Sequence, residues 1–404
     1  PFMEEDMWQK IEAAPADSIL GLTEAFKSDS SPAKVNLGVG VYKDEKGTTP
    51  ILDCVKAAEK LLLEKEGTKS YLPIPGDPVY AREVQKLLFG ASSDVIANGR
   101  AATAHAPGGT GALRVGGELL KKFNPSAKVW ISNPTWANHK GVFTTAGFEL
   151  AQYDYYNPET KSLDFEAMLA SLKTIPAGDI VLLHACCHNP SGVDLSADQW
   201  KIVAALGKEK GWMAFLDFAY QGFGDGVDED RCAVEEFAAT GADFFVASSF
   251  SKNFGLYNER TGALTIVSPT AEESAVAMSH LKSTIRVIYS NPPAHGGLVV
   301  ALILSDEQLH QQWLGELAAM RDRIKAMRVA LVAGLQKRGV QGDFSYITSQ
   351  RGMFSFSGLS DDIVHWLRDN KSIYVVGGGR INLAGLTSSN IDYVCDAIAE
   401  ALKS

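Results

Sequence analysis

Cysteine is scarce in this chain and poorly spaced for chemistry. The five residues, Cys54, Cys186, Cys187, Cys232 and Cys395, are odd in number and contain no C-x-x-C pair. That argues against a disulfide framework and against a zinc site, and it points to free thiols in a reducing compartment. Cys186 and Cys187 are adjacent but sit in an apolar, strand-like run, where core packing accounts for them better than a redox role. Basic charge is also in deficit: 38 Lys and Arg stand against 48 Asp and Glu, a net charge of −10. Such a surface repels nucleic acids and anionic membranes. No apolar run approaches the roughly 20 residues a membrane span needs. No G-x-x-x-x-G-K-[ST] occurs, which disfavours nucleotide triphosphate hydrolysis, and there are no internal repeats or low-complexity tracts. The acidic Pro1–Asp6 segment lacks the basic flank and apolar centre of a signal peptide. The expected compartment is the cytoplasm, or an organelle after removal of a presequence.

What the chain does have is 404 residues, 46% of them hydrophobic, enough for a large core and for two domains. Proline-broken periodicity predicts an N-terminal arm and a short helix before Phe26. Lys34–Tyr42 reads as a strand interrupted by Gly38 and Gly40, where glycine marks a bulge or a close approach to a ligand. This G-x-G lacks the third glycine and the following helix of a dinucleotide site. Helices are expected over Cys54–Glu66, Tyr80–Phe89, Ala112–Lys122, His139–Thr145 and Ala197–Glu209. Strands are expected over Lys128–Ile131, Asp179–Cys187, Met213–Asp217, Phe244–Ala247 and Ala263–Val267. This alternation predicts an α/β fold with a mostly parallel sheet flanked by helices. A long charged helix over Ala318–Arg338 leads to a smaller C-terminal part. There a strand-like Gly352–Phe356 is followed by a helix over Asp361–Lys371 and a strand over Ile373–Val376.

The stretch that organises this pattern is the polar loop Ser248-Ser249-Phe250-Ser251-Lys252-Asn253-Phe254-Gly255-Leu256-Tyr257-Asn258-Glu259-Arg260, set between two apolar β-branched runs. Hydroxyls and a guanidinium suit an anion, and a lysine beside a cation is a candidate nucleophile because its pKa is lowered. The plain alternative is a solvated surface lysine. Ala106-Pro107-Gly108-Gly109-Thr110-Gly111 enters a helix and is either a phosphate cradle or an ordinary tight turn. Asp217 closes a buried-type strand, as a functional carboxylate or as a turn cap. Trp136 and Asn189 follow other strand ends, the usual ligand-binding edge of such sheets. Tyr220 lies three residues beyond Asp217. Tyr71 is a packed aromatic or a ligand contact. Arg286 is a snorkelling helix residue or a carboxylate clamp, and Arg380, between a glycine turn and an apolar strand, is a second clamp.

The thirteen-residue run from Ser248 to Arg260 resembles the cofactor-lysine motif of the aspartate aminotransferase family. The likeness extends from about Pro15 to the C-terminus. It implies fold-type I architecture, with pyridoxal 5′-phosphate as cofactor, amino acids and 2-oxo acids as substrates, and a homodimer with shared sites. It implies an arm over 1–14, a small domain over 15–46 and 321–404, and a large cofactor domain over 47–320. Lys252 would form the internal Schiff base and shuttle the proton, with Asp217 facing the ring nitrogen. Tyr220 and Asn189 would face the phenolic oxygen, Trp136 the ring, and His139 would support Asp217. Gly109, Thr110, Ser249, Ser251, Arg260 and Tyr71 of a second subunit would hold the phosphate. Arg380 would hold the α-carboxylate, Arg286 of the second subunit the distal one, and Gly40 would lie in the closing lid.

The activity implied is transamination between L-aspartate and 2-oxoglutarate, with an aromatic aminotransferase of dual specificity as the alternative. Val41, Lys43, Thr49, Thr110 and Asn291 resemble aspartate-preferring members, whereas Ser70 replaces an asparagine found in some of them. A decarboxylase or lyase on the same fold would keep Lys252 and Asp217 without needing both arginines. A non-catalytic binding protein would have no use for Lys252.

Overall fold

The computed structural model describes residues 8–403, so the first half of the expected arm lies outside the described residues. Its centre is a seven-stranded sheet: β1 (Ala101–Pro107), β2 (Lys128–Asn133), β3 (Glu149–Asp154), β4 (Ile180–His184), β5 (Met213–Phe218), β6 (Phe244–Ser249) and β7 (Thr261–Val267). The spatial order is β1-β7-β6-β5-β4-β2-β3. β3, β2, β4, β5 and β6 run parallel, while β7 is antiparallel to both β6 and β1. The mostly parallel sheet expected from the alternation is present. β6 and β7 are buried at every position, which is why they are mostly apolar and lack regular polar alternation, their few hydroxyls, such as Ser248 and Thr265, being buried too. β3 was not anticipated. As an edge strand with one buried residue it carries Glu149, Gln152 and Asp154, and so lacks the apolar signal of its neighbours.

Helices cover both faces. Helix α1 (Gly108–Phe123) turns Ala112, Leu113, Val115 and Leu120 inward. It approaches the sheet so closely that a Cβ on Gly116 would lie 2.5 Å from the Phe215 ring. This helix starts four residues earlier than its apolar periodicity indicates, so the Gly108–Gly111 turn is its first turn. Helix α2 (Asn138–Thr145) follows β2. Helix α3 (Glu307–Lys337), 31 residues long, starts well before the predicted Ala318 because the Asp306 side chain caps its Leu309 amide.

α3 ties the sheet to the C-terminal segment. Near its start, Trp313 stacks on Phe254 (4.3 Å between centroids) and donates to the Asn253 carbonyl at 2.7 Å. Near its end it packs on α4 (Ile391–Lys403), with a Cβ on Gly334 placed 2.6 Å from Cys395 Sγ. Between them the Arg323 guanidinium donates to the carbonyls of Lys43, Ala384 and Leu386 at 2.6–3.0 Å. One hydrophobic core runs from Val35 along one face of the sheet to Ala401, and a second, beneath α1, fills the other face.

Four expected strands are shorter than predicted, Gly352–Phe356 being strand only over Phe354–Phe356 and Ile373–Val376 only over Ile373–Tyr374. Only Val35–Asn36 of the Lys34–Tyr42 segment is strand, paired in parallel with Ile373–Tyr374. Beyond it the backbone is irregular and held by Asn382, whose Nδ2 donates to Val39 and Val41 at 2.8 Å each. β4 ends at His184, and Cys187 has a left-handed φ of 51°, so the two cysteines lie in the turn beyond. Both are free and buried, as core packing requires.

Phe254 and Trp313 join the lysine loop to α3 with no exposed ring edge. Phe254→Ala is expected to cost about 3–5 kcal/mol, read as a lower urea midpoint with an unchanged denaturant slope.

Candidate active site

Lys252 lies in the β6–β7 connection, a loop fixed from several sides. The Phe250 amide donates to the Thr261 carbonyl at 3.0 Å and the Gly255 amide to the Lys252 carbonyl at 3.2 Å. Phe250 and Phe254 fill the core beneath. These anchors leave the Lys252 side chain directed into a cavity of about 270 Å³ at the carboxyl ends of β4, β5 and β6. Gly40, Gly109, Thr110, Trp136, Asn189, Asp217, Tyr220, Ser249, Ser251, Arg260 and Arg380 line the same space. Eleven residues nominated from sequence thus meet around the twelfth.

The electrostatics follow from burial. Desolvation lowers the Lys252 ammonium to a pKa of about 8, with Arg260 and Arg380 pushing the same way and the Asp217 carboxylate opposing them. Nζ sits 5.1 Å from the centre of the Tyr220 ring. Burial also acts on Asp217 and would raise its pKa. The His139 hydrogen bond and the charge of Lys252 outweigh this, so the carboxyl stays below its ordinary value and ionised. His139 is not on the cavity wall: it lies behind Asp217, with Nε2 2.7 Å from Oδ2. The chain continues from His139 Nδ1 to Thr135 Oγ1 (2.8 Å) and on to His184 Nε2 (2.9 Å). Burial holds His184 neutral, with a pKa of about 3.

Opposite Asp217, the start of α1 meets Ser249, Ser251 and Arg260. A Cβ at Gly108, where φ is 77°, would come 2.5 Å from an Arg260 terminal nitrogen; at Gly109 it would sit 3.1 Å from Ser249 Cβ. These two glycines therefore keep the guanidinium and the hydroxyl close to the helix amides. Amides, hydroxyls and a guanidinium converging at a helix start suit a phosphate.

At the far wall, Arg380 is buried. It donates to Asn189 Oδ1 at 3.3 Å and to the Gly38 carbonyl at 3.1 Å, and it lies 4.2 Å from the centre of the Phe354 ring. Its Nε has no partner among the described residues. A buried guanidinium with an unused donor and no carboxylate is poised for an anion from outside.

Tyr71 and Arg286 do not line this cavity. Tyr71 is 91% exposed, and Arg286 is exposed on the helix Ala271–Ile288. They share one surface: Arg286 contacts Ser290, whose hydroxyl bonds Asn291, and Asn291 donates to the Leu72 carbonyl at 2.9 Å. Of the specificity positions, Thr110 is on the cavity wall while Ser70, Val41, Lys43, Thr49 and Asn291 are not. Sequence reasoning missed six wall residues, Ile19, Leu113, His184, Cys186, Ala219 and Phe354. His184 ends a buried strand, a position that could have nominated it. Cys186 and Phe354 carry only core-type signals. No cluster of three or more His, Cys, Asp or Glu that could hold a metal occurs among the described residues.

A desolvated lysine amine, an ionised carboxylate and a separate cluster of amides, hydroxyls and a guanidinium suited to a phosphate are the features a pyridoxal-phosphate site requires. The model of "Aminotransferase class I and II" matches residues 32–398, and the chain belongs to that family. The aspartate aminotransferase of Salmonella typhi is 53% identical over 98% of this chain and all of its own length. The aromatic-amino-acid aminotransferase of Pseudomonas aeruginosa is 46% identical, covering 97% of this chain and 98% of that one. Among solved structures, the aromatic-amino-acid aminotransferase from Burkholderia pseudomallei, covalently bound to pyridoxal phosphate, superposes with a TM-score of 0.96. It is 50% identical and covers 98% of this chain and 99% of its own.

The Lys252 environment makes a prediction on the cofactor-free protein. Its reaction with a small amine-directed reagent should rise with pH around a midpoint near 8. Asp217 favours the charged amine, so Asp217→Asn should move the midpoint lower, as seen by mapping the labelled peptide across pH.

Proposed function

We propose that this protein transfers an amino group between L-aspartate and 2-oxoglutarate, giving oxaloacetate and L-glutamate, with pyridoxal 5′-phosphate as cofactor. The observation that carries the reading is the pairing of desolvated Lys252 with two spatially separate anion sites, the Gly109–Ser249–Arg260 cradle and Arg380. The bound cofactor supplies an electron sink for the electrons of the substrate Cα–H bond. Lys252 Nζ, neutral in a large fraction near pH 8, takes the α-proton; a base matched to the working pH moves protons best. Asp217, kept ionised by His139, holds a positive partner at the cavity floor. Tyr220 and Asn189 orient the oxygen they face, and Trp136 covers a ring. Gly109, Thr110, Ser249, Ser251 and Arg260 hold the phosphate.

Arg380 takes the substrate α-carboxylate through a bidentate pair, its plane set by Phe354 and Asn189. The distal carboxylate needs a second cation, and this cavity contains no other free arginine suited to it among the described residues. Arg286, exposed on a face it shares with Tyr71, fits that need as a donor to the site of a second copy, with Tyr71 reaching the phosphate there, so the working unit is a homodimer. The segments 15–46 and 321–404 form the smaller domain, which closes Gly40 over substrate and excludes water. A cytoplasmic location accords with the composition, and no helix among the described residues is long and apolar enough to cross a membrane.

Aromatic substrates are a second reading, favoured by the aromatic-acting relatives at 46% and 50% identity and by Ser70. Measured kcat/KM for L-aspartate should exceed that for L-tyrosine; the reverse order would establish the aromatic enzyme. Lys252→Ala should lower kcat by at least about 10²-fold, the usual contribution of a positioned proton-transfer group. Arg380→Lys should raise KM for both dicarboxylates about tenfold to a hundredfold, as expected for a lost charged hydrogen bond of about 1.5–3 kcal/mol. Unchanged KM in that variant would remove Arg380 from the substrate site.

A further inference from the structure

Arg328, on α3, is among the largest fully buried side chains of the protein, yet it forms no ion pair with a carboxylate among the described residues. Burial presses its pKa down to about 10. An apolar side chain would fill the same space without this desolvation cost. What an apolar residue would lack is the donor fork. Nη1 donates to the Ile347 carbonyl (3.0 Å) and to Ser355 Oγ (2.5 Å), and Nη2 to the carbonyls of Gly352 (2.6 Å) and Phe354 (2.8 Å). All four acceptors lie within residues 347–355.

The segment so gripped leads into and includes the short strand Phe354–Phe356, which pairs antiparallel with Arg380–Asn382. The strand's first residue supplies the ring beneath the Arg380 guanidinium, and the same ring meets Tyr220 edge-on at 6.0 Å. The strand also touches the loop that carries Asn189, for the Phe356 amide donates to the Ser191 carbonyl at 3.4 Å and, just before the strand, the Arg351 amide donates to the Gly192 carbonyl at 2.7 Å. Three groups of the cavity wall thus reach one strand, and α3 holds it from behind.

We infer that Arg328 is a positioning residue for substrate binding: by fixing the Phe354 strand it sets the plane and depth of the Arg380 guanidinium. This rests on the reading that Arg380 binds the substrate α-carboxylate. A planar fork reaches four acceptors at once, whereas a lysine in the same place offers a point charge with no fixed plane. Truncation therefore loosens the platform without altering Lys252, Asp217 or the phosphate cradle.

The test uses the cofactor-loaded enzyme with Arg328→Lys, Arg328→Met, Phe354→Leu and the Arg328→Lys/Phe354→Leu pair. Arg328→Lys should raise KM for L-aspartate and 2-oxoglutarate about tenfold, equivalent to 1.4 kcal/mol, with kcat and cofactor affinity changed less than about threefold. Arg328→Met should raise KM further. Should Arg328→Met fail to fold, Arg328→Lys decides alone. Because Arg328 acts through Phe354, the double variant should show a KM close to that of Phe354→Leu, not the product of the two effects. A lower melting temperature with unchanged KM would reduce Arg328 to a fold-stabilising role and overturn the inference, as would multiplying effects in the double variant. Arg380→Lys separates the two ideas. If it raises KM while Arg328→Lys does not, only the present inference fails; if it too leaves KM unchanged, the assignment of Arg380 fails first.

Discussion

Burial of one ammonium group beside one carboxylate is the constraint around which this molecule is arranged. Lys252 and Asp217 are held in a space that strips water from both, and the two respond in a way that serves proton transfer. The amine drops to about 8, while the carboxyl stays ionised because His139 bonds it. A lysine with an ordinary pKa of 10.5 that falls to about 8 on folding makes the unliganded protein bind fewer protons than its unfolded chain across that interval. Stability therefore rises with pH between the two values, and the site is destabilising below them. The rest of the fold supports that arrangement: β6 and β7 clamp the loop, and Phe250, Phe254 and Trp313 lock it to α3.

The same helix organises the opposite wall. Arg323 gathers carbonyls from the Lys43 region and from Ala384 and Leu386, and Arg328 gathers those of the Phe354 strand. Both guanidiniums sit on a rigid element and satisfy carbonyls of short segments that have few backbone hydrogen bonds of their own. Arg380, Asn189 and Phe354 inherit their positions from this scaffold. The site thus has a floor and back set by the parallel sheet and a guanidinium wall set by α3.

Much of this was legible in the sequence, for identifiable reasons. Strands buried on both faces announce themselves as apolar runs, so β4 to β7 were visible, whereas the edge strand β3, with Glu149 and Asp154, was not. Asp217, near the end of a strand, could be found because a polar group there interrupts an apolar run, and Asn189 because it follows one. The thirteen-residue motif then named the chemistry. Helix starts were placed late at Gly108 and Glu307, because a glycine-rich first turn and an Asp306 cap carry no apolar periodicity. His184 and Phe354 escaped because packing, not pattern, brings them to the cavity, and the same is true of the Arg328 fork. Tyr71 and Arg286 show the opposite case: sequence resemblance nominates them, while in the single chain they face outward.

The measurement that bears most directly on the central claim is the isolated half-reaction. The protein would be loaded with pyridoxal 5′-phosphate, freed of excess, and mixed once with L-aspartate while visible absorbance and released oxaloacetate are followed together. The account predicts a cofactor band that depends on Lys252, is lost on adding aspartate with about one oxaloacetate per site, and returns with 2-oxoglutarate. A band that persists in Lys252→Ala, or one that ignores aspartate while oxaloacetate fails to appear, would contradict it.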